Sequence, residues 1–221
     1  MTENQKKDKK APEYADLPEN SDQILACEPS EAYRSEDARQ GSYTIEDYYA
    51  LPEERRVELI DGWIYDMASP SWAHQIILGQ LYLQIAPCVE NHPECLLLFA
   101  PSDVRLDNDQ WTMVQPDLFI TCNNKDNDHR RTNGAPDFII EILSPSNRYH
   151  DTFRKLNKYR NARVREYWIV DPEKLTITVY DLEHDQQPVT YAFTDTVPIG
   201  ISKGECSVDF ARIYEKVSRH L

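Results

Sequence analysis

The chain has 221 residues, 40% of them hydrophobic, and a formal net charge of −14. Its length suits one domain plus a tail, and its hydrophobic fraction suffices for a core. The acidity speaks against tight nonspecific binding of nucleic acid without excluding a local basic strip, no apolar run nears the roughly 20 residues that span a bilayer, and MTENQKKDKK at the N-terminus lacks the apolar segment of a signal peptide.

Residues 1–42 are polar, with no sustained apolar period, and read as a disordered leader within which Asp22 to Cys27 could form a short helix. The domain is placed at 43–221. The cysteines (Cys27, Cys88, Cys95, Cys122 and Cys206) are odd in number and scattered, and no pair has CxxC or metal-ligand spacing. They read as reduced thiols of a cytoplasmic protein.

In TIEDYYALPEE, Thr44 is an N-cap with Asp47 three residues on, where a capping box usually has Glu or Gln. RVELIDGWIYDM then holds two apolar runs about Asp61-Gly62, a strong hairpin signal. Glu58 lies on the first strand and, read alone, faces solvent. Ser71 caps a helix in which Ala73, Ile76, Ile77, Leu81 and Ile85 recur at helical spacing, ending near Pro87. His74 lies in its first turn, where a lone histidine is more often structural than catalytic. CLLLFAPSDVRLD reads as a buried strand followed by an edge segment containing Asp103. Trp111 to Thr121 reads as the next strand. Pro116, which has no ladder donor, marks an edge, a bulge or the start of its paired part. A polar loop from Asn123 to Gly134 leads to Asp137–Leu143, the most apolar and therefore central strand.

Asp151 to Ala162 follows as an amphipathic helix, with Thr152, Leu156 and Tyr159 on its core face. Asp151, Lys155 and Lys158 share a stripe beside that face. Lys155, Lys158, Arg160, Arg163 and Arg165 form a local basic concentration, read for the most part as a solvated face. EYWIVD is a second buried strand, LTITVYD an antiparallel outer strand, PVTYAF its hairpin partner, and SVDFARIYEKV a closing helix. The pattern is an α/β or α+β fold with a mixed central sheet flanked by helices.

Asp117, in PDLFI, and Glu141, in DFIIEIL, are acids on apolar strands. A buried charge must be paired or bind a metal. Two carboxylates in one apolar site repel unless a proton or cation lies between them. Hard oxygen ligands suit Mg²⁺ or Mn²⁺. A nearby lysine can hold water or neutralise transition-state charge. Together these describe the outline of a phosphodiester hydrolase. As structural residues, the same acids would be hydrogen-bonded, or relics of a lapsed site. No GxSxG occurs, and no cysteine context points to a lowered pKa.

The order and spacing of PDLFI, FIIEILSPS, Asp151, Lys155, Tyr159 and EYWIVDP, preceded by TIEDYYALPEERRVELIDGWIYDMASPSWAHQ, resemble the Uma2 family of PD-(D/E)XK, restriction-endonuclease-like proteins from about Thr44 to Tyr180. The resemblance implies a restriction-endonuclease-like core and a Mg²⁺- or Mn²⁺-dependent endonuclease acting on DNA. It makes Asp117 the first motif carboxylate, Glu141 the second and Glu58 the N-terminal acid, a third ligand or an orienting group. The wider group places its lysine two residues after the second acid, where this chain has Leu143. Lys155 matches the family's lysine instead, with Lys158 as its rival one turn away and Asp151 as an i,i+4 salt-bridge partner. His74 and Asp103 match supporting positions. A homodimer is compatible with cutting both strands. The contrasting expectation is an inactive binding or assembly module of the same fold, favoured by the negative charge and the displaced lysine.

Overall fold

The computed structural model describes residues 40–52, 54–106, 109–122, 130–144 and 154–221. The leader up to residue 39, Asp151 and most of the 123–134 loop lie outside them. The order of elements is α1 (Ile45–Ala50), β1 (Val57–Ile60), β2 (Trp63–Asp66), α2 (Trp72–Val89), β3 (Leu96–Phe99), β4 (Asp103–Arg105), β5 (Leu118–Thr121), β6 (Arg131–Asn133), β7 (Phe138–Ile142), α3 (Leu156–Ala162), β8 (Glu166–Asp171), β9 (Thr176–Asp181), β10 (Val189–Ala192), β11 (Thr196–Pro198), β12 (Ser207–Asp209) and α4 (Phe210–Val217).

A six-stranded mixed sheet of order β10-β9-β8-β7-β5-β3 forms the centre. Only β7 and β8 run parallel within it, and α3 lies in the crossover that parallel neighbours require. Strand side chains alternate between faces. On one face Leu118, Ile120, Phe138, Ile140, Ile142, Trp168 and Val170 pack with Ile77, Leu81 and Ile85 of α2 and Phe210, Ile213 and Val217 of α4. On the other, Phe119, Ile139, Tyr167 and Ile169 pack with Tyr159 of α3. Glu141 is two residues beyond Ile139 and so belongs to the α3 face.

Local chemistry explains the smaller elements. Thr44 and Asp47 close a full capping box on α1. The β1–β2 turn has φ 52° at Asp61 and 76° at Gly62, a pair of left-handed residues that matches strand twist. A Cβ on Gly62 would also lie 2.7 Å from the Gly41 carbonyl carbon. Pro116 separates the single bridges at Met113 and Val114 from the continuous pairing of β5, so it marks the start of the paired part.

Helix α2 ends near Pro87 as expected, passing through it to Val89. The bond that proline cannot donate would have gone to the Leu83 carbonyl, and Leu83 is exposed, so water can serve that carbonyl. Strand β3 is the sheet's edge, with Leu96 and Phe99 exposed, and not a buried strand. An apolar run alone does not report which side of a strand is paired. The thiols are not all reduced: Cys88 pairs with Cys206 and Cys95 with Cys122, at Cα separations of 6.1 and 3.9 Å. Partners 118 and 27 residues apart leave no local spacing to read. All four half-cystines line one cavity of about 450 Å³ on the α2 face. It lies beyond Cys122 and beside Arg165, at the sheet end remote from Glu141. Among the described residues no helix is long and apolar enough to cross a membrane.

Glu166 is a buried acid with a structural task. Its carboxylate accepts hydrogen bonds from Trp168 Nε1 (2.7 Å) and the Ile201 amide (2.8 Å). Burial raises its pKa above the ordinary carboxylate value, against the lowering effect of hydrogen bonds from Gly200, Ile201 and Trp168. The native state therefore holds this proton to higher pH than the unfolded chain does. The stabilisation is complete below the ordinary value and is lost as pH rises through the raised one. Urea denaturation of wild type and Glu166→Gln across mildly acidic pH should show a steeper loss of stability with rising pH in the wild type. Parallel curves would contradict this assignment.

Candidate active site

The site is assembled by the C-terminal half of β7, the start of β5, the β1 hairpin and the first turn of the α3 segment. A π-type turn at Arg154-Lys155 leads into α3. Lys155 is 2% exposed. Its Nζ lies 2.9 Å from Glu58 Oε1 and 2.9 Å from Glu141 Oε1. Glu58 and Glu141 are themselves only 4% and 2% exposed. The solvent-facing reading of Glu58 is thus corrected: β1 is buried along its whole length, with Val57 and Leu59 packed against α1 and Met113, and Glu58 on the other face held by Lys155 and the Gln115 amide.

Each carboxylate is held by a further donor. The Gln115 amide donates to Glu58 Oε1 at 2.8 Å. The Tyr159 hydroxyl donates to Glu141 Oε1 at 2.7 Å. Desolvation first, and the adjacent Glu141 charge second, push the Tyr159 pKa well above its usual value, so this hydroxyl remains a donor at neutral pH. Leu143 shares the α3 face with Glu141 and is buried in the apolar cluster there. Lys155 reaches that same face from the packed helix.

Asp117 sits next to this triad, just before β5. Its Oδ2 accepts the Ile142 amide at 2.7 Å and lies 3.1 Å from His74 Nε2. His74 comes from α2, on the opposite face of the sheet, and meets Asp117 at the strand ends. A carboxylate accepts, so Nε2 carries the hydrogen. His74 Nδ1 is buried and has no partner among the described residues. The Asp117 side chain is 13% exposed, which leaves this flank the more accessible one.

The remaining sequence-selected residues lie further out. Lys158 Nζ pairs with Asp61 at the hairpin turn. Asp103 accepts from the Tyr48 hydroxyl (2.8 Å), the Tyr49 hydroxyl (3.2 Å) and Gln115 Nε2 (3.0 Å), so it reaches Glu58 only through Gln115. Asp151 lies outside the described residues. Sequence reasoning missed Gln115 and Tyr48. The position of Gln115 directly before the Pro116-Asp117 pair was the available signal. Tyr159 reads as a core residue, and its spacing of four from Lys155 places both on one side of the helix.

The donor set suits a small hard cation. Asp117, Glu141 and Glu58 are carboxylates, and Gln115 Oε1 is a buried acceptor without a partner among the described residues. Such ligands fit Mg²⁺ or Mn²⁺, which keep part of their water shell. Lys155 stands between two of these carboxylates. Among the described residues, no group of three His, Cys, Asp or Glu side chains is already gathered as a metal cage.

The sequence model of Uma2, described as "Putative restriction endonuclease", matches residues 45–203. The uncharacterized protein slr1290 of Synechocystis sp. is 26% identical over 143 residues, 63% of this chain and 74% of that protein. A crystal structure described as a "putative nuclease belonging to DUF820" from Anabaena variabilis superposes with a TM-score of 0.66 at 20% identity, covering 79% of this chain and 98% of the other.

Proposed function

The chain belongs to the Uma2 family, and on that premise we propose that it is an endonuclease that hydrolyses phosphodiester bonds in DNA with Mg²⁺ or Mn²⁺. The observation that carries this reading is the buried Glu58–Lys155–Glu141 triad beside Asp117. A protein gains little stability from burying two carboxylates and an ammonium in place of apolar residues, so their retention at one strand end favours a chemical task.

Asp117 and Glu141 would hold the ion, with Glu58 as third ligand or as the group that orients Lys155. When bound, a divalent ion polarises a phosphoryl oxygen and lowers the pKa of attached water. The protein's own groups do the rest. Tyr159 and the Gln115 amide fix the two glutamates. His74 and the Ile142 amide fix the Asp117 carboxylate. Lys155 offers a fixed positive charge where negative charge develops on the phosphate, an interaction that needs no reorganisation during reaction.

The test is cleavage of plasmid and oligonucleotide DNA with Mg²⁺ or Mn²⁺. Asp117→Asn and Glu141→Gln should each lower the rate by about 10²-fold or more, the scale of removing one group that stabilises the transition state. Equal cleavage by both variants, or none by the wild type under any metal condition, would count against the reading.

The second reading is an inactive binding or assembly module of the same fold. It is favoured by the lysine standing between the carboxylates and by the absence of a gathered three-ligand group among the described residues. Calorimetric titration with Mn²⁺ separates the two: a folded protein that binds no ion supports the module.

A further inference from the structure

Helix α2 is apolar on both sides. Its inner side packs on the sheet, yet Trp72 to Val89 holds no Asp, Glu, Lys or Arg at all, in a chain whose residues are 28% charged. On the outer side Trp72, Ile76, Gly79, Leu83 and Ala86 follow one another at steps of four, three, four and three residues, the spacing of a seam between two helices. Trp72 is 78% and Leu83 65% exposed. Trp72 meets the His220 ring at a centroid distance of 6.0 Å. A Cβ placed on Gly79 would meet nothing within 4 Å among the described residues. Phe99 of the edge strand β3, also exposed, extends the surface beside Tyr82. Pro87 shares a row with Gln80 (i, i+7) at the flank, so the Leu83 carbonyl that it leaves unpaired stays at the wet rim.

An apolar face of this kind marks a contact surface. Nucleic acid would require cations there, and a lipid surface Lys or Arg along the helix, and the stripe has neither. We propose that the partner is a second copy of this chain, with the two α2 helices packed antiparallel across a two-fold axis at the level of Leu81. A second copy brings the same charge of −14, so two copies meet closely only on an uncharged face. In this register the stripe is self-complementary, as a two-fold contact demands. Leu83 lies opposite Gly79 of the second copy, Ile76 opposite its Ala86, and Trp72 opposite its Glu90. Large meets small at each level, and the carboxylate meets an indole. A parallel pairing would instead set Leu83 on Leu83, Gly79 on Gly79 and Glu90 on Glu90. With Phe99 and Gln75, the face offers on the order of 700 Å², near the roughly 800 Å² per partner of a stable interface.

The test is light scattering on the full chain after size exclusion, from about 1 to 100 μM, with circular dichroism as the check on folding. The wild type should have twice the 25.8 kDa mass of the chain. Gly79→Leu should weaken the dimer about 30-fold or more. The open space at Gly79 and the better helix propensity of leucine leave the single chain folded. Leu83→Glu, which sets a charge in the seam, should have the same effect. The double variant Gly79→Leu/Leu83→Ala again sets large against small and should regain the dimer, a rescue that only the antiparallel register gives. Val189→Glu, on the exposed edge strand β10, should stay dimeric. A wild type of 25.8 kDa throughout overturns the proposal and leaves the stripe to residues 1–39 or to a different protein. A dimer that survives both Gly79→Leu and Leu83→Glu overturns it too, as does a folded Gly79→Leu monomer that Leu83→Ala fails to rescue.

Discussion

Lys155→Met should melt roughly 10 °C below wild type, from a loss of about 3–5 kcal/mol. Methionine nearly matches the lysine stem in length, so packing on α3 is kept and the ammonium alone is lost. Glu58 and Glu141, both almost fully buried and both 2.9 Å from Nζ, would then face each other without the charge between them. Removing one partner of a buried ion pair costs far more than the intact pair contributes, because the survivors remain desolvated. Neutralising them should therefore recover stability: Glu58→Gln/Lys155→Met should melt above Lys155→Met, and the triple variant with Glu141→Gln higher still. Non-additivity is the signature of a single network. Mn²⁺ should also raise the melting temperature of Lys155→Met more than that of wild type, since a cation supplies the missing charge. A Lys155→Met protein that melts with the wild type would show that the ammonium does not bridge the two acids in solution.

Reduction should be the other large perturbation. The Cys88–Cys206 bond ties the last turn of α2 to the β11–β12 region across 118 residues, and Cys95–Cys122 staples β3 to β5 across 27. Loop-closure entropy gives about 4–5 kcal/mol for the first and about 3–4 kcal/mol for the second, as upper values. Thermal melts with and without a phosphine reductant should differ accordingly. Cys88→Ser/Cys206→Ser should account for the larger share. Thiol titration of the unreduced, denatured chain should find at most one reactive cysteine of the five. Five reactive thiols, or identical melts, would return the cysteines to the reduced state expected from their spacing.

Much of the site's chemistry was legible because it follows from local incompatibility. An acid inside FIIEIL or at the head of PDLFI has no reason to be there unless something binds it. The capping box at Thr44, the Asp61-Gly62 turn and the alternation of β9 are likewise set by residues within a few positions of one another. Strand β7 could be named central because it is apolar on both faces. The order of these pieces was enough to indicate a mixed sheet with a strand–helix–strand centre.

What the chain could not announce in one dimension is which partners distance brings together. Glu58 looked like a surface residue because nothing beside it in sequence covers it. Its partners are Gln115 and Lys155, up to 97 positions away. His74 looked structural in its helix, and only the meeting of α2 with the β5 end sets its Nε2 against Asp117. The half-cystine pairs and the edge position of β3 are long-range facts of the same kind. Lys155 and Lys158 lie on one helical stripe but differ in direction: Lys155 meets Glu58 and Glu141, while Lys158 meets Asp61 at the hairpin turn. Sequence by itself determined the elements on which the candidate residues ride. The tertiary structure decided which of them meet, because side-chain direction and burial depend on elements that are neighbours only after folding.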